Sequence, residues 1–195
     1  MKNKRIIALA AGGGLVLGGI VLAATSASAG IPFTADDYDL AAIQGPTSSA
    51  RSAGPSLPEQ ADPSSFYGGE LDVSTIRGLA SSADADFFTA LNVRGELCLL
   101  TALSGEAWSV ATTCAAPDAF NDRGLSLELE TSEVTVETYL ISDSAAEVLD
   151  LGELAEGADV LGGNIVVLDE AATESERSLV AAELTSAGVS IFPEG

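Results

Sequence analysis

Arg94 to Cys114, RGELCLLTALSGEAWSVATTC, holds both cysteines, the single tryptophan and the clearest hairpin pattern in the chain. Leu97–Leu103 and Ala107–Cys114 are runs of apolar and β-favouring residues. Ser104-Gly105-Glu106 separates them as a turn, and Arg94-Gly95-Glu96 makes another turn just before. Side chains alternate along a strand, so Cys98, Leu100 and Ala102 share one face, as do Trp108, Val110, Thr112 and Cys114. A fold-back centred at Glu106 sets Cys98 opposite Cys114, Leu100 opposite Thr112 and Ala102 opposite Val110. A centre at Gly105 moves the cysteines onto a diagonal of the same face. Either register permits a cross-strand disulfide, provided the Cα atoms come within about 7 Å. Closing a loop of about 15 residues would stabilise the fold by roughly 3 kcal/mol in the chain-entropy model.

The even cysteine count points to a Cys98–Cys114 bridge rather than two buried thiols, and so does the start of the chain. Lys2, Lys4 and Arg5 precede an uncharged run from Ile6 to Ala24, followed by Thr25-Ser26-Ala27-Ser28-Ala29. A basic start, an apolar middle and an Ala-x-Ala end describe a secretory signal cleaved after Ala29. The run is also close to the ~20 residues that span a bilayer, so residues 1–29 read equally as an uncleaved transmembrane anchor. Both readings place the remainder outside the cytoplasm, either secreted or held at the cytoplasmic membrane.

Beyond Ala29 the chain has five arginines, no lysine and all 29 acidic residues, a formal charge of −24; histidine is absent throughout. Such a field repels nucleic acid and anionic headgroups and favours solubility, cations or basic partners. It excludes nucleic-acid binding.

Five of the seven prolines fall between residues 31 and 65, mixed with Ser, Ala, Gly and Thr. Residues 30–65 therefore read as a flexible spacer, with Asp36–Ile43 a transient amphipathic helix within it. Residues 66–195 read as one globular domain. Leu71–Ala80 and Asp86–Val93 read as strands ahead of the cysteine hairpin. Pro117–Gly124 has the signals of a short helix, with Phe120 as its core anchor. Leu125, Leu127 and Leu129 alternate with Ser126, Glu128 and Glu130 as a half-buried strand, and Val134–Ile141 follows as its partner. Ser142–Gly163 reads as a short helix or ordered loop, and Asn164–Leu168 as a strand. Thr173-Glu174-Ser175-Glu176 has capping-box spacing, opening a helix to about Ala187 with Leu179, Val180 and Leu184 on its apolar side and Gly188 as its stop. Val189–Phe192 reads as a final strand. The expected fold is α+β, mainly β: an antiparallel meander of about six strands with one cross-strand disulfide, one short helix and one C-terminal helix covering the sheet.

The inventory for chemistry is sparse. Without histidine the usual general base and the commonest metal ligand are missing, and without lysine in the exported part Schiff-base chemistry has no nucleophile. No catalytic, cofactor or metal residue is assigned. The clusters Asp36-Asp37-Tyr38-Asp39, Asp84-Ala85-Asp86 and Asp169-Glu170 offer the oxygen ligands that calcium takes, but none follows the calcium-loop pattern, and turn or surface roles suit them better. Paired carboxylates of the glycosidase type are defined only in three dimensions. Trp108 reads as core packing beside the disulfide, with a binding-surface role as the alternative. Tyr139, on the polar side of its strand, reads as an exposed interface candidate.

Gly95-Glu96-Leu97-Cys98-Leu99, then Trp108 through Cys114, then Pro117, Phe120 and Gly124-Leu125 resemble small uncharacterised exported or membrane-anchored proteins of actinobacteria, over roughly Leu71 to Ile141. The resemblance implies a compact β-rich domain with one disulfide behind an anchor or signal, and brings no activity. The expected function is a non-catalytic extracytoplasmic domain acting through an envelope protein partner. The alternatives are an acidic cation- or ligand-binding module and a carboxylate-based cell-wall hydrolase.

Overall fold

In the computed structural model, residues 33–44, 54–57, 66, 70–103, 109–131, 134–149, 158–168 and 171–189 are described. The leader 1–29, Trp108, the Asp169-Glu170 pair and the strand expected over 190–192 lie outside them. Among the described residues no helix is long and apolar enough to cross a membrane.

The strand readings from Leu71 to Ile141 hold. Strands β1 (Leu71–Ser81), β2 (Ala85–Asn92), β3 (Leu97–Leu103) and β4 (Ser109–Ala115) form one antiparallel sheet in that order. Helix α1 (Pro117–Arg123) then carries the chain to a second sheet. This sheet comprises β5 (Leu125–Glu130), β6 (Thr135–Leu140), β7 (Ala158–Leu161) and β8 (Ile165–Leu168), ordered β5-β6-β8-β7. The six expected strands are therefore present but divided between two sheets, because Pro117 opens a helix that ends the ladder after β4.

The period-2 patterns explain the packing. Phe87, Leu97, Leu99 and Leu103 from the first sheet meet Leu127, Leu129, Val136, Leu140 and Val167 from the second in one buried cluster. Two apolar sheet faces close on one another, so the second sheet, and not the C-terminal helix, covers the meander. Helix α3 (Glu174–Ser186) lies on the outer face of the second sheet, where Val180 and Leu184 join Tyr139, Ile141, Val166 and Leu168. Val180 and Leu184 are one turn apart, whereas Leu179 points off that stripe and is 47% exposed, contrary to the sequence expectation. The capping box forms as read: Thr173 N–H donates to Glu176 Oε2 at 2.6 Å, and Glu176 N–H donates to Thr173 Oγ1 at 3.3 Å. Ser142 caps α2 (Asp143–Val148), which resolves part of the acidic 142–163 stretch into a helix.

Three threonine hydroxyls sit on inward-facing strand positions. Thr89, Thr101 and Thr138 are fully buried, and their Oγ1 atoms have no hydrogen-bond partner among the described residues. A buried hydroxyl left unpaired costs more than the methyl of the same shape. Thr138→Val is therefore expected to raise stability by about 1 kcal/mol, read as a higher urea midpoint with unchanged slope. A lower midpoint would show that the hydroxyl is satisfied by internal water.

The largest departure from the sequence reading lies in the supposed spacer. Residues 33–44 form a strap in which Tyr38, Leu40 and Ile43 are almost fully buried in the inter-sheet core. Leu57 and Phe66 join a separate apolar cluster with Phe88, Leu100 and Cys98 on the other face of the first sheet. Composition averaged over 36 residues diluted these few anchors, yet each fully buried large apolar side chain contributes roughly 1.5–3 kcal/mol. The domain therefore begins at the strap and not at residue 66.

Two glycines let the added chain approach. Gly95 has φ +78°, and a Cβ there would collide with the Phe33 backbone; a Cβ on Gly78 would collide with Pro55. At Gly95 only glycine combines the left-handed conformation with this backbone proximity, and at Gly78 the close approach alone excludes a side chain. Gly95→Ala is expected to destabilise the protein by about 2–3 kcal/mol in urea unfolding, combining backbone strain with displacement of the strap. A loss under about 0.5 kcal/mol, the range of neutral surface changes, would mean that Phe33 moves aside freely.

Candidate functional site

The strap is fastened at its middle by a tyrosine and along its length by short polar side chains. Thr34 opens a single 3-10 turn, Ala35–Asp37, in which Asp37 Oδ2 accepts from Thr34 N–H at 2.7 Å and from its hydroxyl at 3.0 Å. Tyr38 then enters the core. Its hydroxyl accepts from Leu97 N–H at 2.8 Å and lies within donating distance of the Gly95 carbonyl, at 2.8 Å, and the Ala115 carbonyl, at 3.2 Å. Burial is the main cause that pushes its pKa up to about 12. The ring meets Phe120 of α1 edge-on, with centroids 5.9 Å apart.

Around Tyr38 the strap is tied to two elements, α1 and α2. Asp39 N–H donates to Asn121 Oδ1 at 2.9 Å, and Asn121 Nδ2 donates to the Asp37 carbonyl at 3.0 Å. Ser144 N–H donates to Asp39 Oδ2 at 3.0 Å, and these Ser144 hydrogen bonds hold the Asp39 carboxyl below its ordinary value. Asp143 Oδ2 accepts from Ala41 N–H at 2.7 Å, while its Oδ1 accepts from Asn164 Nδ2 at 2.8 Å. Beside this latch lies an open hollow of about 310 Å³, lined in part by Asn121, Ser142, Ser144, Val148 and Val189. Among the described residues Asp122 is the only ionisable one lining it.

This arrangement reassigns most of the carboxylates read as candidate calcium ligands. Asp37 and Asp39 accept hydrogen bonds from backbone N–H groups of the strap and of α2. Asp86 Oδ1 accepts from the Ser81 hydroxyl at 2.6 Å across the β1–β2 pair, and Asp84 lies exposed in the turn between those strands. Asp36 is exposed on the 3-10 turn. Among the described residues no three acidic or cysteine side chains gather where they could hold a metal ion.

Tyr139 is not an exposed interface residue. It is 4% exposed beneath α3, and its hydroxyl donates to Glu137 Oε1. Arg177, on the same helical stripe as Val180, reaches Glu137 Oε2 at 2.6 Å. Burial and the Glu137 hydrogen bond both raise the Tyr139 pKa. The "polar" face of β6 is therefore an inner face of the α3–sheet layer, which the alternation pattern alone does not reveal. Glu128 stands directly opposite Glu137 in the β5–β6 ladder, but Arg177 and Tyr139 already engage Glu137.

The cysteines meet as the sequence reading centred on Glu106 expected. Cys98 pairs with Cys114, Leu100 with Thr112 and Ala102 with Val110. The disulfide is closed, with Cα atoms 4.0 Å apart. It lies in the cluster on the outer face of the first sheet, away from the inter-sheet core. Sequence reasoning missed Tyr38, Asn121 and Ser144. The only available signal was the concentration of Tyr38, Leu40 and Ile43 in an otherwise polar segment.

Comparison with protein-family models, with curated proteins and with solved structures gives no match for this chain.

Proposed function

We propose that the protein is a non-catalytic extracytoplasmic domain, secreted or tethered by its N-terminal segment, that acts through contact with a protein partner of the cell envelope. The observation that carries this reading is strand β4. It lies at the edge of the first sheet, and its seven residues, Ser109–Ala115, include no charge and no proline. The other sheet edges, β1, β5 and β7, each include an acidic residue. Edge strands that must not pair are ordinarily guarded by charge, proline or bulges; β4 carries no charge and no proline, and the part of its edge not packed beside β5 suits addition of a partner strand. The Cys98–Cys114 bridge ties this edge to β3, which suits an oxidising compartment. The acidic surface favours a partner with a basic rim around the contact.

A photo-crosslinking residue placed at Thr112 on β4, with Ala83 in the β1–β2 turn as the control position, tests the reading in intact cells. A discrete protein adduct at 112 and none at 83 supports contact through β4. Equal labelling at both positions, or none at either in folded protein, rules it out.

A further inference from the structure

The strap changes where the domain would sit if the leader is retained. With residues 30–65 as a spacer, a tether would hold the domain well clear of the bilayer. Instead, the chain enters the fold at Phe33, whose backbone rests on Gly95. The apolar run ends at Ala24, nine residues earlier. At the maximal extension of a polypeptide, Phe33 stands no more than about 30 Å from the hydrocarbon boundary.

At this entry point two large apolar side chains stand exposed beside a charged cluster of Arg94, Glu70 and Glu96, with Asp36 and Asp37 exposed further along the strap. Gly95 N–H donates to the Asn92 carbonyl at 2.8 Å, which closes a turn with Val93 and Arg94 at its tip. Val93 is 66% exposed and Phe33 is 41% exposed, two of the few large apolar side chains left in water among the described residues. Arg94 lies beside Glu96 at 2.8 Å and Glu70 at 3.9 Å, partly compensating both carboxylates. An aromatic, an aliphatic and an arginine at the base of a membrane tether suit a zwitterionic headgroup boundary, which the acidic surface does not repel as it does an anionic one.

We propose that, in the tethered form of the protein, the end of the sandwich formed by Phe33 and the Val93-Arg94 turn rests against the lipid bilayer, leaving the opposite end facing outward. This rests on the tethered reading given above, and the test separates the two. The β1–β2 turn at Ala83 marks the far end, about 30 Å away along β2 at the ordinary strand rise.

The full chain, purified from membranes, is placed in phosphatidylcholine vesicles with bromine on the acyl chains. Single variants Val93→Trp and Ala83→Trp are compared, Trp108 being common to both as background, and Phe33→Trp serves as a second reporter at the proposed contact. Quenching at position 93 or 33 at least twofold greater than at 83 is the expected result. Equal quenching at both ends, with the full chain in the membrane fraction, overturns the orientation while leaving the tether intact. A mature chain that begins at Gly30 by mass and is released from cells overturns the tether, and the orientation with it.

Discussion

Replacing Tyr38 with alanine is expected to destabilise the protein by about 4–5 kcal/mol, the upper range for removing a large aromatic from a core. Two losses combine. The ring leaves a void beside Phe120 in the inter-sheet cluster, and the Leu97 N–H loses its acceptor in a buried setting. Tyr38→Phe separates the two effects, keeping the ring while removing the hydroxyl, and is expected to cost about 2 kcal/mol. The measurement is urea unfolding of both variants against wild type. A cost for Tyr38→Ala near 1 kcal/mol would show that the strap is an ornament on a fold complete without it.

The same pair gives a pH signature. In the unfolded chain the Tyr38 hydroxyl titrates near its ordinary value of 10.0, and in the folded protein near 12. Its neutral form is the one the fold holds, so the contribution is complete below pH 10 and declines as pH rises toward 12. The stability gap between wild type and Tyr38→Phe should narrow over that window and stay constant between pH 6 and 9. A gap that widens above pH 10 contradicts a buried, neutral phenol.

Removing the disulfide is expected to cost about 3 kcal/mol, the chain-entropy value for a loop near its sequence separation of 16. For a domain of this size that corresponds to a melting temperature lower by roughly 6–12 °C. The Cys98→Ala/Cys114→Ala variant should nonetheless fold. The bridge sits outside the inter-sheet core, and the ladder from Leu97–Ala115 to Leu103–Ser109 remains to hold β4. Thermal melts of wild type with and without reductant, alongside the double variant, provide the check. An unchanged midpoint would mean that the pairing of β3 with β4 is sufficient by itself.

Several features were legible because they depend on local order. The alternation Leu125, Leu127, Leu129 named a half-buried strand, and those residues are buried while Glu128 and Glu130 are exposed. Thr173 and Glu176 named a helix start through a four-residue spacing, and both halves of the box are present. The cysteine spacing around a turn allowed two registers, and one of them is the observed ladder. In each case the physical cause acts within a few residues of the signal, through strand alternation or backbone donors at a helix end.

Tyr139 and Tyr38 show where that locality ends. Tyr139 alternates with core residues and was therefore read as exposed, but a helix 40 residues later covers its face. Which faces of a strand are buried depends on what other segments pack there, and period-2 patterning cannot distinguish a solvated face from a polar-rimmed inner one. Tyr38 depends on Leu97 and Ala115, more than 50 residues away, and no pattern in its own neighbourhood encodes them. By itself the sequence determined most of the elements, the hairpin register options, the acidic character and the disulfide partners, because these follow from short-range geometry and counting; it missed β7 (Ala158–Leu161), which lies in the stretch read as a short helix or ordered loop. The tertiary structure alone decided the division of the strands into two sheets, the packing of residues 33–44 of the supposed spacer as a core strap and the burial of Tyr139. All three arise from closing apolar faces contributed by segments distant along the chain.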